Sequence, residues 1–198
     1  MTLKVALLII VTGVIAGLLL AALRSYRSRA ANFVVVVYVD VFRSLPPLVI
    51  LLLVYFGLPT FGIKLSPFVA LWLVLSAVLA AFAEEIFWAG IISVGKGQWD
   101  SARATGLNFS QTLLFVIIPQ ALRLTIPPLT NRTIAITKNS ALGTVIGVPE
   151  ILNEATTAQS FSGSGTPLLM GAVAYLIIFI PLVVVARRIE RRYSWSRS

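Results

Sequence analysis

No charged side chain interrupts the chain from Val5 to Leu23, from Leu48 to Leu58, from Pro67 to Ala83 or from Leu168 to Ala186. A helix across the roughly 30 Å hydrocarbon core of a bilayer needs about 20 such residues. Runs of that kind commit most of this chain to a membrane. The composition agrees: 58% of residues are hydrophobic and 12% charged, where soluble domains sit near one half and one quarter. The expected fold is all-α, a polytopic membrane protein of about five transmembrane helices over residues 1–198. The spans are expected at Val5–Leu23, within Phe33–Leu58, at Pro67–Ile86, from Leu113 to Val148, and at Leu168–Ala186. Two are interrupted, the second by Asp40, Arg43 and Pro46-Pro47, the fourth by Pro119, Arg123, Pro127-Pro128 and Thr137-Lys138-Asn139-Ser140. Thr60–Ser66 and the Ser/Thr/Gly-rich stretch Asn153–Thr166 read as loops.

The absence of cysteine removes thiol and disulfide chemistry. The absence of histidine removes the commonest general base and metal ligand. The net charge of +9 is gathered in short basic clusters beside apolar runs. That is the pattern of positive-inside anchoring rather than of a nucleic-acid surface. Arg24, Arg27, Arg29 and Arg43, then Lys96 and Arg103, then Arg187, Arg188, Arg191, Arg192 and Arg197 fall on one side of five alternating spans. Only Lys4 and Lys64 clearly fall on the other, with Arg123, Arg132 and Lys138 within or near a span. This bias predicts an outside N-terminus and a cytoplasmic C-terminus, with the first run kept as an anchor rather than cleaved as a signal peptide.

Between the third and fourth spans lies Gly97–Pro119, GQWDSARATGLNFSQTLLFVIIP. Its first half is polar and small, enough for one short helix on the cytoplasmic side, within about 93–110. Asp100 is expected near the helix start, where the dipole favours an acid. Gly106 is expected at the stop, since glycine takes the left-handed cap without steric cost. Small side chains at Ser101, Ala102 and Gly106 would let a partner surface approach. The preceding Gly90–Gly97, GIISVGKG, nearly spells a phosphate-binding loop, but Gly97 stands where a hydroxyl should meet magnesium, and no strand precedes it. Nucleotide chemistry is therefore not expected in this chain.

Asp100-Ser101-Ala102, Gly106 and Val116-Ile117-Ile118-Pro119 resemble the EAA motif of ABC-importer permeases, with Asp for Glu and Ser for the first Ala. Tyr38-Val39-Asp40-Val41-Phe42-Arg43-Ser44-Leu45-Pro46, Glu85-Ile86-Phe87-Trp88-Ala89-Gly90-Ile91, Pro119-Gln120-Ala121-Leu122-Arg123 and Pro127-Pro128-Leu129-Thr130-Asn131 are similar to blocks of the polar amino-acid uptake permeases (histidine, glutamine, arginine, glutamate type). Trp88 stands where that family usually has Arg, Ala89 where it has Gly, and Asn139 where Asp is common. The resemblance implies a bacterial inner-membrane subunit that binds no cofactor and makes or breaks no bond. Its partners would be ABC ATPase subunits docked on a coupling helix at Asp100, Ser101, Ala102 and Gly106. A second permease subunit, identical or a sister, an extracytoplasmic substrate-binding protein and an amino-acid substrate would complete the system in membrane lipid.

Charged groups inside a span cost roughly 2.5–3.5 kcal/mol on insertion scales, so they mark partners or water-filled paths. Lys138, with Asn139 and Ser140, is a candidate for meeting a substrate carboxylate, against the alternative of snorkelling to an interface. Glu85 is a candidate gate residue or the acid of a structural ion pair, and Asn131 and Thr133 are further polar lining. No metal-ligating set is expected. The competing reading is an ATP-independent channel or secondary transporter using Lys138 and Glu85 for ion coupling, which leaves the 97–119 segment without a role.

Overall fold

The computed structural model describes residues 1–26 and 28–194, apart from the side chains of 192–194. Arg27, Arg197 and the Arg192 side chain, counted above among the basic residues, lie outside the described residues. The described residues form helices and turns, with no strand among them. Helix α1 is Thr2–Ser25 and α2 is Arg29–Ser44. Helix α3, Pro47–Leu52, continues through a π turn at Leu53–Gly57 and a 3-10 turn at Leu58–Phe61. Helix α4 is Pro67–Ser93 and α5 is Lys96–Ala104. Helix α6, Phe109–Thr112, passes through a π turn, Leu113–Ile117, into α7, Ile118–Lys138, which tightens to 3-10 over Asn139–Ile146. Helices α8, Ile151–Ser162, and α9, Thr166–Ser194, complete the chain.

Among the described residues, four stretches are long and apolar enough to cross a membrane: Thr2–Ser25, Pro67–Ser93, Phe109–Ile146 and Thr166–Arg191. The second expected span is present but is not straight: Arg29–Ser44 and Pro47–Phe61 meet at a 105° bend. Leu45 and Pro46 are extended there, with ψ of 137° and 135°, as a residue before proline is driven to be. The two π turns share a cause. Pro59 and Pro119 each follow a π turn by two residues, and each lacks an N–H while its ring crowds the carbonyl four residues back. That carbonyl belongs to Tyr55 or Phe115, inside the widened turn, where the longer repeat relieves the clash.

The centre of the bundle is α4. Helix α1 runs parallel to it, with Gly13 against Leu79 and Gly17 against Ala80, Ala83 and Glu84. The glycines let the two backbones close up, and buried Val5, Ile9, Leu71, Leu75, Val78 and Leu79 fill the seam. A polar clasp sits within it: Thr12 Oγ1 donates to the Leu8 carbonyl (2.6 Å), accepts from Trp72 Nε1 (3.2 Å) and bonds Ser76 Oγ (2.7 Å). Helix α7 is antiparallel to α4, with Thr125 and Ala121 seated on Gly90. A second core of Phe87, Ile91, Leu113, Ile117 and Ala121 lies toward the α5 end.

The expected loop at Asn153–Thr166 is instead mostly helix α8. Its start is capped by Glu150, whose Oε1 accepts from the Asn153 amide at 3.0 Å. Ile151 and Ala155, one turn apart, pack onto Gly171 of α9. Only Gly163–Gly165 joins the two helices. Glu150 is 2% exposed and also accepts from Thr144 Oγ1 and the Tyr175 hydroxyl. The Ser/Thr content misled because that cap and an apolar stripe outweigh it. Helix α9 runs antiparallel to α7, Asn131 meeting Glu190 and Lys138 meeting Phe179. Arg187, Arg188 and Arg191 therefore head toward the end of the bundle that holds Arg24, Arg29, Lys96 and Arg103, whereas Lys4 and Lys64 lie at the opposite end.

Candidate functional site

The backbone leaves α4 through extended, buried Val94, and α5 begins after Gly95. One side of α5 is pinned. Trp99 stacks on Phe109 (centroids 5.4 Å apart), Phe109 meets the edge of Tyr26 at 5.4 Å, and the Tyr26 hydroxyl donates to Ser110 Oγ at 3.1 Å. Gln120 Nε2 donates to Gln98 Oε1 at 3.2 Å. The other side is free, with Gly97, Asp100, Ser101 and Ala104 exposed. The helix ends as its sequence requires: Thr105 Oγ1 donates to the Ala102 carbonyl (2.7 Å), and the Gly106 amide donates to the Arg103 carbonyl (3.0 Å). Gly106 has φ +92°, a conformation strained for any residue with a Cβ. Two residues later Asn108 and Gln111 form a reciprocal capping box, both bonds 2.9 Å, and start α6.

Two expectations about this segment change. Helix α5 starts at Lys96, so Asp100 lies one turn inside it and no acid occupies the first turn. The exposed carboxylate therefore faces solvent rather than the positive helix end. Ala102 is buried, so its small size serves packing against the bundle, while Asp100, Ser101 and Gly106 remain on the free surface.

The expected pathway residues do not converge. Glu85, on α4, pairs with Arg43 of α2 at 2.6 Å, the ion-pair alternative anticipated for it. Lys138 lies on the other flank of α7, its ammonium 5.7 Å from the Phe179 ring centroid. There it lines a cavity of about 280 Å³ with Asn131, Arg187 and Glu190. Asn139 is half-buried. Ser140 is buried, and its Oγ has no hydrogen-bond partner among the described residues. Thr133 is half-buried and its carbonyl accepts from Thr137 Oγ1.

Two features depend on pairings across helices that the sequence does not place. The first is a buried ion pair: Glu84, with no exposure, accepts both bonds of Arg24 Nη1 (3.1 and 3.3 Å), and Arg24 also lies 4.7 Å over Trp88. The family's usual residue at Trp88 is itself basic, so the aromatic replacement supplies a face for the α1 cation. The second is Arg132. Its guanidinium lies 3.5 Å over the Phe82 ring, and no carboxylate among the described residues pairs with it. Arg43 shares that ring at 5.5 Å. A cation–π contact returns about 0.5–2 kcal/mol, less than the roughly 2.5–3.5 kcal/mol of placing an arginine within a span. Arg132 thus keeps an unmet demand for an anion. Beside it, α4 and α7 enclose a groove of about 490 Å³ lined by Glu85, Gly90, Ser93, Thr125 and Pro128.

A bundle of four spanning helices plus one broken span, with a short helix held at one end, is the architecture of a type I ABC-importer permease. The sequence model of the binding-protein-dependent transport system inner membrane component matches residues 13–195. The chain belongs to that family. It is 35% identical over 197 residues to a probable glutamine ABC transporter permease of Bacillus subtilis (strain 168), covering 98% of this chain and 90% of the relative. An L-cystine transport system permease of the same organism is 35% identical over 193 residues, covering 96% of this chain and 82% of its own length. Among solved structures, an amino acid ABC transporter crystallised with histidines superposes with a TM-score of 0.87 at 34% identity, covering 97% of this chain and 90% of that one.

Proposed function

We propose that this permease is the membrane subunit of an ATP-driven importer for polar amino acids in a bacterial inner membrane. Residues 1–198 act as one permease unit, and two such subunits, identical or sister, enclose one path. An ABC ATPase pair docks on the cytoplasmic face, each ATPase receiving one α5. An extracytoplasmic binding protein delivers the amino acid at the face formed by α8 and the Lys64 turn. The N-terminus is outside and the tail cytoplasmic, which puts the basic end of the bundle in the cytoplasm.

The observation that carries this reading is the build of α5. A nine-residue helix fixed on one side by Trp99, Phe109, Tyr26 and Gln120, and bare on the other at Asp100 and Ser101, is a rigid knob outside the spans. Its fixed side leads directly to α1, α4 and α7, so a push on its free side reaches all three. Closure of the ATPase pair would rock these helices and switch the path between its two openings. Hydrolysis in the partner supplies the energy. The pathway residues carried forward are Glu85 in the α4–α7 groove and Lys138, Asn139 and Ser140 at the end of α7.

The test is co-reconstitution of the chain with the ATPase and binding protein encoded beside it. ATP hydrolysis stimulated by an amino acid, and lost in Gly106→Pro, supports the importer and the role of α5. Uptake by this chain alone, with no ATPase bound, would overturn it in favour of a channel or secondary transporter.

A further inference from the structure

Arg132 has a specific task if the chain is an importer, and this inference rests on that reading. We propose that Arg132 receives the carboxylate of the transported amino acid at the head of the α4–α7 groove. The charge set there selects amino acids without net positive charge.

The groove runs along facing turns of two antiparallel helices. Glu85 and Pro128 lie at one end of it, Ser93 and Leu124 toward the α5 end. Arg132 is one helical turn beyond Pro128 and so lies on the same face of α7. Its partner across the gap, Phe82, is one turn before Glu85 on α4. Arg132 therefore stands where the groove meets the mid-level of the bundle. It is half-buried against α4 rather than extended into lipid.

The neighbouring charges decide what it would bind. Glu85 gives Oε1 to Arg43 at 2.6 Å and pairs with no other cation among the described residues. Asp40, one turn before Arg43 on α2, is exposed and makes no ion pair among the described residues. The Phe82 face carries two guanidiniums, and among the described residues the one carboxylate paired with either is Glu85, held by Arg43. A planar guanidinium offers a fork that matches a carboxylate with two parallel hydrogen bonds. An α-carboxylate seated there leaves the α-ammonium free to reach Glu85, the acid in the same groove. A cationic side chain would then be held beside Arg43 and Arg132, where like charges oppose it. Glutamate and glutamine fit this set, and arginine and lysine do not. The groove volume lies within the range of small-molecule sites.

Binding of radiolabelled glutamate, glutamine and arginine is measured on the permease–ATPase complex in lipid nanodiscs, without the binding protein, whose own selectivity would mask that of the permease. Wild type is compared with Arg132→Gln and Arg132→Lys. The expected result is saturable binding of glutamate or glutamine, at least tenfold weaker binding of arginine, and at least tenfold loss of the favoured ligand in Arg132→Gln. Arg132→Lys, which keeps the charge but not the fork, should fall between. Basal ATP hydrolysis and thermal stability of both variants check that assembly is intact. Affinity unchanged in Arg132→Gln, preference for arginine in wild type, or no binding from the whole panel would each overturn the assignment. In those cases amino-acid-stimulated hydrolysis with the binding protein present would still uphold the importer reading. Failure of the ATPase to assemble would overturn both.

Discussion

Replacing Gly17 by alanine tests the close backbone packing of α1 on α4. A Cβ built at Gly17 lies 2.5 Å from Ala83 Cβ, 2.9 Å from the Ala80 carbonyl oxygen and 2.9 Å from the Glu84 amide nitrogen. Two of these three atoms are α4 backbone, and the third is rigidly attached to it, so no side-chain rotation relieves the clash. Ordinary carbon contacts begin at about 3.5 Å, so α1 must retreat by about 1 Å along the seam filled by Val5, Ile9, Leu71, Leu75, Val78 and Leu79. Overpacking of this kind costs typically 1–3 kcal/mol, against about 1 kcal/mol that alanine returns through helix propensity. Retreat also strains the Arg24–Glu84 bonds two turns further on, now at 3.1 and 3.3 Å. A net loss of about 1 kcal/mol, and at most about 2 kcal/mol, corresponds to a fall in Tm of about 2–8 °C for a chain of this size. The assay is thermal unfolding of the purified protein in one fixed detergent. Gly97→Ala, whose new Cβ meets nothing within 4 Å among the described residues beyond its own stretch of α5, is the control and should leave Tm unchanged or slightly raised. A Gly17→Ala protein as stable as wild type, or more so, would refute the close-packing argument.

Arg24→Met should destabilise the protein by about 3–5 kcal/mol, because it leaves the fully buried Glu84 carboxylate without a partner; the double variant with Glu84→Gln should recover much of this in the same unfolding assay. Gly106→Ala, forced to φ +92°, should cost about 1–2 kcal/mol locally and reduce ATPase stimulation while leaving the spans folded, checked by hydrolysis alongside circular dichroism. Glu150→Ala removes the α8 cap and leaves Thr144 and Tyr175 without their acceptor. It should lower stability by about 1–3 kcal/mol and speed proteolysis at Gly163–Gly165.

The spans were legible because bilayer length and the apolar runs from Val5, Pro67 and Leu168 admit one structure, and the stop at Gly106 because a left-handed turn needs glycine. What stayed hidden depends on three-dimensional neighbours. The 105° bend at Leu45-Pro46 needed the extended backbone before proline to be set against a continuous apolar run. Helix α8 was obscured because its cap, Glu150, draws its strength from Thr144 and Tyr175, distant in sequence or sheltered by packing. Arg132 and Glu84 were plain as charges inside apolar surroundings. Their difference, one paired with Arg24 and the other left over a phenyl ring, follows only from helix register across α1, α4 and α7. The grouping of Glu85 with Lys138 failed for the same reason: both are polar positions in spans, but α7 presents Arg132 to α4 and Lys138 to α9.

The proposed coupling puts the free side of α5 against the ATPase. The chain has no cysteine, so Ser101→Cys on that exposed side gives a single reactive thiol. The measurement is photo-cross-linking of this variant, labelled with a maleimide–benzophenone reagent, to a co-expressed ABC ATPase in membranes, with Lys64→Cys at the opposite end of the bundle as comparison. A one-to-one permease–ATPase adduct is expected from Ser101→Cys and none from Lys64→Cys. An adduct from Lys64→Cys, or none from Ser101→Cys in membranes where the ATPase is bound, would contradict it.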